Sequence, residues 1–140
     1  MTNKGVIEIK ISSIQEYLKI LEDNYKQRSQ KEIEDDLFLK TSLERHLYLL
    51  TQEVIDLAEI IISYRDFRRP DSYSEAFEIL KENTIISVDL MKKMIDMVGF
   101  RNKIAHDYKK LKFDVVYNVL QNDLEDVKEF VNNIQTALFL

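Results

Sequence analysis

Apolar residues recur along this chain at helical rather than strand spacing. Ile7, Ile11, Ile14, Leu18, Leu21 and Tyr25 are separated by alternating steps of four and three. That spacing sets all six on one stripe and predicts a helix over residues 6–26. The alternation in Val6-Ile7-Glu8-Ile9-Lys10-Ile11 would suit a short strand, but the pattern running on to Tyr25 outweighs it. After the polar stretch Gln27-Arg28-Ser29-Gln30-Lys31 comes the longest periodic run, Leu43, Leu47, Leu50, Val54, Leu57, Ile61 and Tyr64. It predicts a long helix over 31–67 that packs against a neighbouring helix along its whole length. Pro70 breaks it, and Asp71 or Ser72 can cap a short helix over 73–82 carrying Ala76, Phe77, Ile79 and Leu80. Ser87 precedes a run from Val88 through Leu90, Met91, Met94, Ile95, Met97 and Val98 to Ile104 and Ala105, which predicts a helix over 88–106. Gly99 inside it costs about 1 kcal/mol relative to alanine. The last helix, over 114–138 with Asp114 as candidate N-cap, carries Val116, Leu120, Leu124, Val127, Val131, Ile134 and Leu138.

Four longer helices and one short one, with no repeat or linker between them, predict a single all-α bundle over residues 1–140. Composition agrees, because two glycines and one proline beside a hydrophobic fraction of 45% leave too few turn residues for a sheet protein. The absence of cysteine excludes disulfides, thiolate nucleophiles and cysteine-ligated metals, and fits a reducing compartment. Glu8 and Lys10 interrupt the segment where a signal peptide would need an apolar core, and no stretch has the uncharged length of a membrane span. The expectation is a soluble, cytoplasmic protein without a membrane partner.

A net charge of −5 argues against coating nucleic acid by bulk electrostatics. The charge is uneven, however. Residues 101–112 hold Arg101, Lys103, Lys109, Lys110 and Lys112 against Asp107 alone, so this segment is +4 within an otherwise acidic chain. Side chains that ionise near neutrality are restricted to His46 and His106. His46 lies in the leucine-rich long helix with Ser42 as its polar neighbour one turn away, and reads as a packing or surface residue. His106 ends the apolar run in Phe100-Arg101-Asn102-Lys103-Ile104-Ala105-His106-Asp107-Tyr108, where Asn102, four residues earlier, faces the same way and could orient the imidazole or a bound phosphate. Arg101 and His106 diverge by roughly 140° on a straight helix. To converge, the helix must end between them, or the arginine must swing round, or two copies must meet across a two-fold axis. The bland alternative is a cationic helix end with a solvated arginine.

Arg101-Asn102 followed by His106-x-Tyr108 resembles the R-x-x-x-x-H motif of the HEPN superfamily in its HepT form, R-x-x-x-x-H-x-Y. Ser42-Leu43-Glu44-Arg45, Ser72 to Leu80, Met97 to Asn102 and Val116-Tyr117 also look like the HepT pattern, in the expected order across nearly the whole chain. The resemblance implies a HEPN helical bundle working as a homodimer with both motifs lining a cleft. It implies a metal-independent endoribonuclease toxin that needs no cofactor, paired with a minimal nucleotidyltransferase antitoxin of the MntA type that transfers AMP to Tyr108. In that chemistry His106 is the acid or base, Arg101 the phosphate clamp and Asn102 an orienting group. Lys103, Lys109, Lys110 and Lys112 would add charge for RNA. A non-catalytic HEPN-fold subunit that binds and is modified by its nucleotidyltransferase partner remains the alternative. A purely structural reading of Tyr108 would have it cover the end of the bundle. The acidic run Glu32, Glu34, Asp35 and Asp36 reads as a solvated helix start, and Arg65, Arg68 and Arg69 as a helix C-terminal charge pattern.

Overall fold

The structure, a computed structural model, describes residues 3–106 and 111–138, and among these it contains seven α-helices and no strand. They are α1 (Lys4–Asn24), α2 (Gln30–Glu34), α3 (Leu37–Tyr64), α4 (Tyr73–Glu82), α5 (Val88–His106), α6 (Phe113–Asn122) and α7 (Leu124–Leu138). The all-α bundle follows the apolar pattern, and α4 and α5 occupy the predicted spans. Two predicted helices are each divided.

The 31–67 helix is broken at Asp35 and Asp36. Ser29 and Glu32 close a reciprocal capping box on α2, while the Asp36 carboxylate accepts the Leu39 N–H (3.2 Å) and starts α3 anew. Glu32 and Asp36 in the acidic run thus serve helix starts, as the sequence suggests. At its other end α3 stops at Tyr64, because Asp66 adopts φ 56° and the Phe67 N–H turns back to the Ile62 carbonyl. The 114–138 helix is divided at Asp123, and its N-cap is Lys112 rather than Asp114, which lies in the first turn of α6. The caps expected before α4 and α5 are present: Ser72 accepts from the Glu75 N–H and Ser87 from the Leu90 N–H, each at 3.1 Å.

α3 is the spine, packed against α1, α4 and α5, with α7 closing on α5 and α6. Its leucine seam is fully buried, as are Ile7, Ile14 and Leu21 of α1. α1 runs antiparallel to it: Lys10 pairs with Glu53 (2.8 Å) near one end, and Tyr25 OH meets His46 Nδ1 (3.1 Å) and Ser42 Oγ (2.6 Å) near the other. His46 therefore packs within the bundle, held by a tyrosine from α1. Phe77 of α4 meets Phe130 of α7 edge to face at 5.6 Å. Met94 and Met97 are buried in the core. Arg68 grips Glu82 through two hydrogen bonds (2.7 and 3.1 Å), and Arg65 donates to the Ala137 carbonyl (2.7 Å). Both arginines are thereby tied into the end of the bundle.

Candidate active site

One side of α3 carries Glu44, Tyr48, Gln52 and Asp56, the first three of them beside α5. Steps of four keep these residues along one side of the helix, beside the leucine seam. α5 runs antiparallel across them: Arg101 lies against Tyr48 and Gln52, while Ile104 and Ala105 lie nearer Glu44 and Thr41.

Arg101 is half-buried and closely held. Its Nε donates to Gln52 Oε1 (2.9 Å), Nη1 to Asn102 Oδ1 (3.2 Å) and Nη2, at the long limit of 3.4 Å, to Tyr48 OH. The rings of Tyr48 and Tyr73 each lie 5.4 Å from the guanidinium carbon, within cation–π range. Gln52 is itself oriented, since its amide nitrogen donates to Asp56 Oδ1 (2.8 Å) and so directs the amide oxygen at Arg101. Asp56 also faces Lys10, 3.7 Å away, which pairs with Glu53. Although burial opposes it, the Glu53 and Asp56 carboxylates hold the Lys10 ammonium above its ordinary range. Three of the five N–H donors of the guanidinium are thus committed within the chain, leaving one on each terminal nitrogen for a ligand.

α5 continues unbroken to His106, its last described residue, so the helix does not end between Arg101 and His106. Nor does the arginine swing towards the histidine, because it is tied to α3. Asn102, Lys103 and His106 are exposed, and among the described residues the Asn102 amide oxygen serves Arg101. Lys112 is exposed at the start of α6. Tyr108, Lys109 and Lys110 lie outside the described residues.

An open cleft of about 400 Å³ is lined by Thr41, Glu44, Arg45, Tyr48, Ile104 and Ala105, and Tyr48 joins it to Arg101. Arg45 lies over the Tyr48 ring (5.4 Å). Glu44 is only 7% exposed, and its Oε1 is buried without a hydrogen-bond partner. Burial raises the Glu44 carboxyl above its ordinary range, with Lys40 opposing in part. Phe38, 79% exposed, lies three residues before Thr41 and seven before Arg45, which places it on the same side of α3 as the cleft. Sequence reasoning did not single out Tyr48, Gln52, Tyr73 or a chemical role for Glu44. The usable signal was the four-residue spacing of polar side chains alongside an apolar seam.

Comparison with known proteins identifies the family and the fold. The family model described as Ribonuclease HepT-like matches residues 14–134. The mRNA nuclease HepT of Shewanella oneidensis is 32% identical over 130 residues, covering 93% of this chain and 96% of that protein. The tRNA nuclease HepT of Aphanizomenon flos-aquae is 28% identical over 95 residues, covering 68% of this chain and 65% of that protein. A solved structure of the tri-AMPylated Shewanella oneidensis HEPN toxin in complex with its MNT antitoxin superposes with a TM-score of 0.86 at 31% identity, covering 97% of this chain and 99% of that one. On a family match over most of its length, a full-length relative and a shared bundle, this chain belongs to the HepT-like ribonuclease family of HEPN proteins.

Proposed function

We propose that the chain is the toxin of a toxin–antitoxin pair, a metal-independent endoribonuclease whose site is built around Arg101 and His106. The observation that carries this reading is the support around Arg101. A solvated arginine has no need of a glutamine aligned by an aspartate, a neighbouring asparagine and two tyrosine rings, whereas a phosphate clamp requires such fixing. The two free N–H groups can take two oxygens of one phosphate. In the reaction, a base removes the ribose 2′-hydroxyl proton as that oxygen attacks phosphorus. The P–O5′ bond breaks, an acid protonates the departing oxygen, and Arg101 stabilises the charge on the phosphorane. His106 is exposed and able to exchange protons with RNA, Asn102 positions the clamp, and Lys103 and Lys112, with Lys109 and Lys110, supply charge along the strand.

With α5 intact and Arg101 tied to α3, the remaining route to convergence is a homodimer in which the motifs of two copies face one cleft. Phe38, beside that cleft, gives the second copy an apolar contact. The AMP carried by the Shewanella relative supports a nucleotidyltransferase antitoxin as partner, with Tyr108 of the motif as acceptor; added bulk and negative charge there obstruct RNA. The test is cleavage of cellular RNA in EDTA by wild type, Arg101→Ala and His106→Ala proteins shown by circular dichroism to be folded. Cleavage by the wild type alone is expected. Equal cleavage by all three, or none, transfers the site to a binding role.

A further inference from the structure

Several carboxylates that pack against other elements have cationic partners. Glu53 holds Lys10, Glu82 holds Arg68 and Glu22 holds Lys128. Glu44 is different. It is 93% shielded, makes no hydrogen bond or ion pair among the described residues, and keeps Oε1 buried without a partner, yet it lines the cleft against α5. The cations nearby do not neutralise it by contact: Lys40, one turn earlier, lies over the Phe113 ring, Arg45 lies over Tyr48, and Arg101 is engaged by Gln52, Asn102 and Tyr48. An unpaired buried carboxylate is costly, and such groups concentrate where a neutral, proton-donating carboxyl is needed. Its position suits that role. Glu44 is one helical turn from Tyr48, which touches the Arg101 guanidinium, and it shares the cleft with Ala105, the residue before His106.

We propose that Glu44 is a third catalytic residue of the α3/α5 cleft, the acid that protonates the departing 5′-oxygen of RNA. The assignment rests on the nuclease reading and makes His106 the base. As the 2′-oxygen–phosphorus bond forms, the 2′-hydroxyl proton passes to the His106 imidazole. As the P–O5′ bond breaks, the Glu44 carboxyl proton passes to O5′, and both groups then exchange with water to restore their starting states. Burial, opposed in part by Lys40, displaces the Glu44 carboxyl towards its neutral, proton-bearing form.

The test uses an RNA oligonucleotide that the wild-type protein cuts, and the same oligonucleotide with sulfur replacing O5′ at the cut, because a thiolate leaves without a proton. Glu44→Gln and Glu44→Asp are compared with wild type and Arg101→Ala after thermal melting establishes that each folds. Glu44→Gln is expected to cut the oxygen substrate about 10²–10⁴-fold more slowly and the sulfur substrate within a few-fold of wild type. Glu44→Asp, with its carboxyl drawn back, should follow the same pattern, and Arg101→Ala should be slow on both. Wild-type rates for the Glu44 variants on oxygen, or equal losses on both substrates, would overturn the proposal while leaving the nuclease reading intact. A wild-type protein that cuts neither substrate overturns the nuclease reading and this proposal together.

Discussion

Arg101 is held in place by its neighbours on α3 and α4, and if it is the proposed phosphate clamp, Gln52 is the most informative residue beside the motif. Replacing Gln52 with alanine removes the Nε acceptor and leaves Asp56 without its amide donor. Misplacement of a clamp by about 1 Å can cost roughly 10²-fold in rate. Gln52→Ala should therefore lose activity on that scale in a single-turnover cleavage assay while the melting temperature changes little. Glu44 gives a prediction of opposite character. Its carboxyl titrates above the ordinary 4.5, first through burial and despite Lys40. The folded chain then holds a proton that the unfolded chain has released, so this group's contribution to stability is intact below 4.5 and lost as pH rises through the folded value. Glu44→Gln should melt above wild type at pH 7.5, with the gap closing as pH falls towards 4.5. Stability gained where activity is lost is the expected trade at a functional group. At this scale the sequence marked Arg101, Asn102 and His106 as candidates, because a polar cluster interrupts an apolar helix and local charge reverses there. Tyr48, Gln52 and Tyr73 were not legible, because their importance lies in contacts across 28–53 residues of chain.

Elements were legible wherever capping and periodicity agreed. Ser72 and Ser87 each precede a clean apolar run, and α4 and α5 match their predicted spans. Breaks were less legible where the apolar period runs straight through them. Leu120 and Leu124 keep helical spacing across Asp123, whose backbone stays near helical at φ −99°, ψ −9°. The chain also ends helices without glycine, placing Asp66 and Thr84 at positive φ, so the usual C-terminal signal is missing. Asp36→Ala should lower stability by about 1 kcal/mol in urea unfolding through loss of the α3 cap. Gly99 is exposed within α5, and a Cβ there would meet nothing within 4 Å. Gly99→Ala should accordingly stabilise the isolated chain by about 1 kcal/mol in the same assay.

At the scale of the molecule, the bundle supplies a rigid wall and leaves the site open. No helix among the described residues is long and apolar enough to cross a membrane. Leu37 and Phe38 stand 73% and 79% exposed at the start of α3, more than a self-sufficient chain requires on the margin of its cleft. Phe38→Asp should weaken self-association in sedimentation velocity while leaving the helical circular dichroism signal unchanged. In the proposed reaction, attack by the 2′-hydroxyl at a site built from Arg101, His106 and Glu44 would need no metal and would fix the chemistry of the products. The ends of RNA fragments cut in EDTA therefore test the account most directly. It predicts 2′,3′-cyclic phosphate and 5′-hydroxyl ends, and no cut where the attacking ribose is replaced by deoxyribose. Fragments with 5′-phosphate and 3′-hydroxyl ends, or cleavage that survives the deoxyribose substitution, would contradict it.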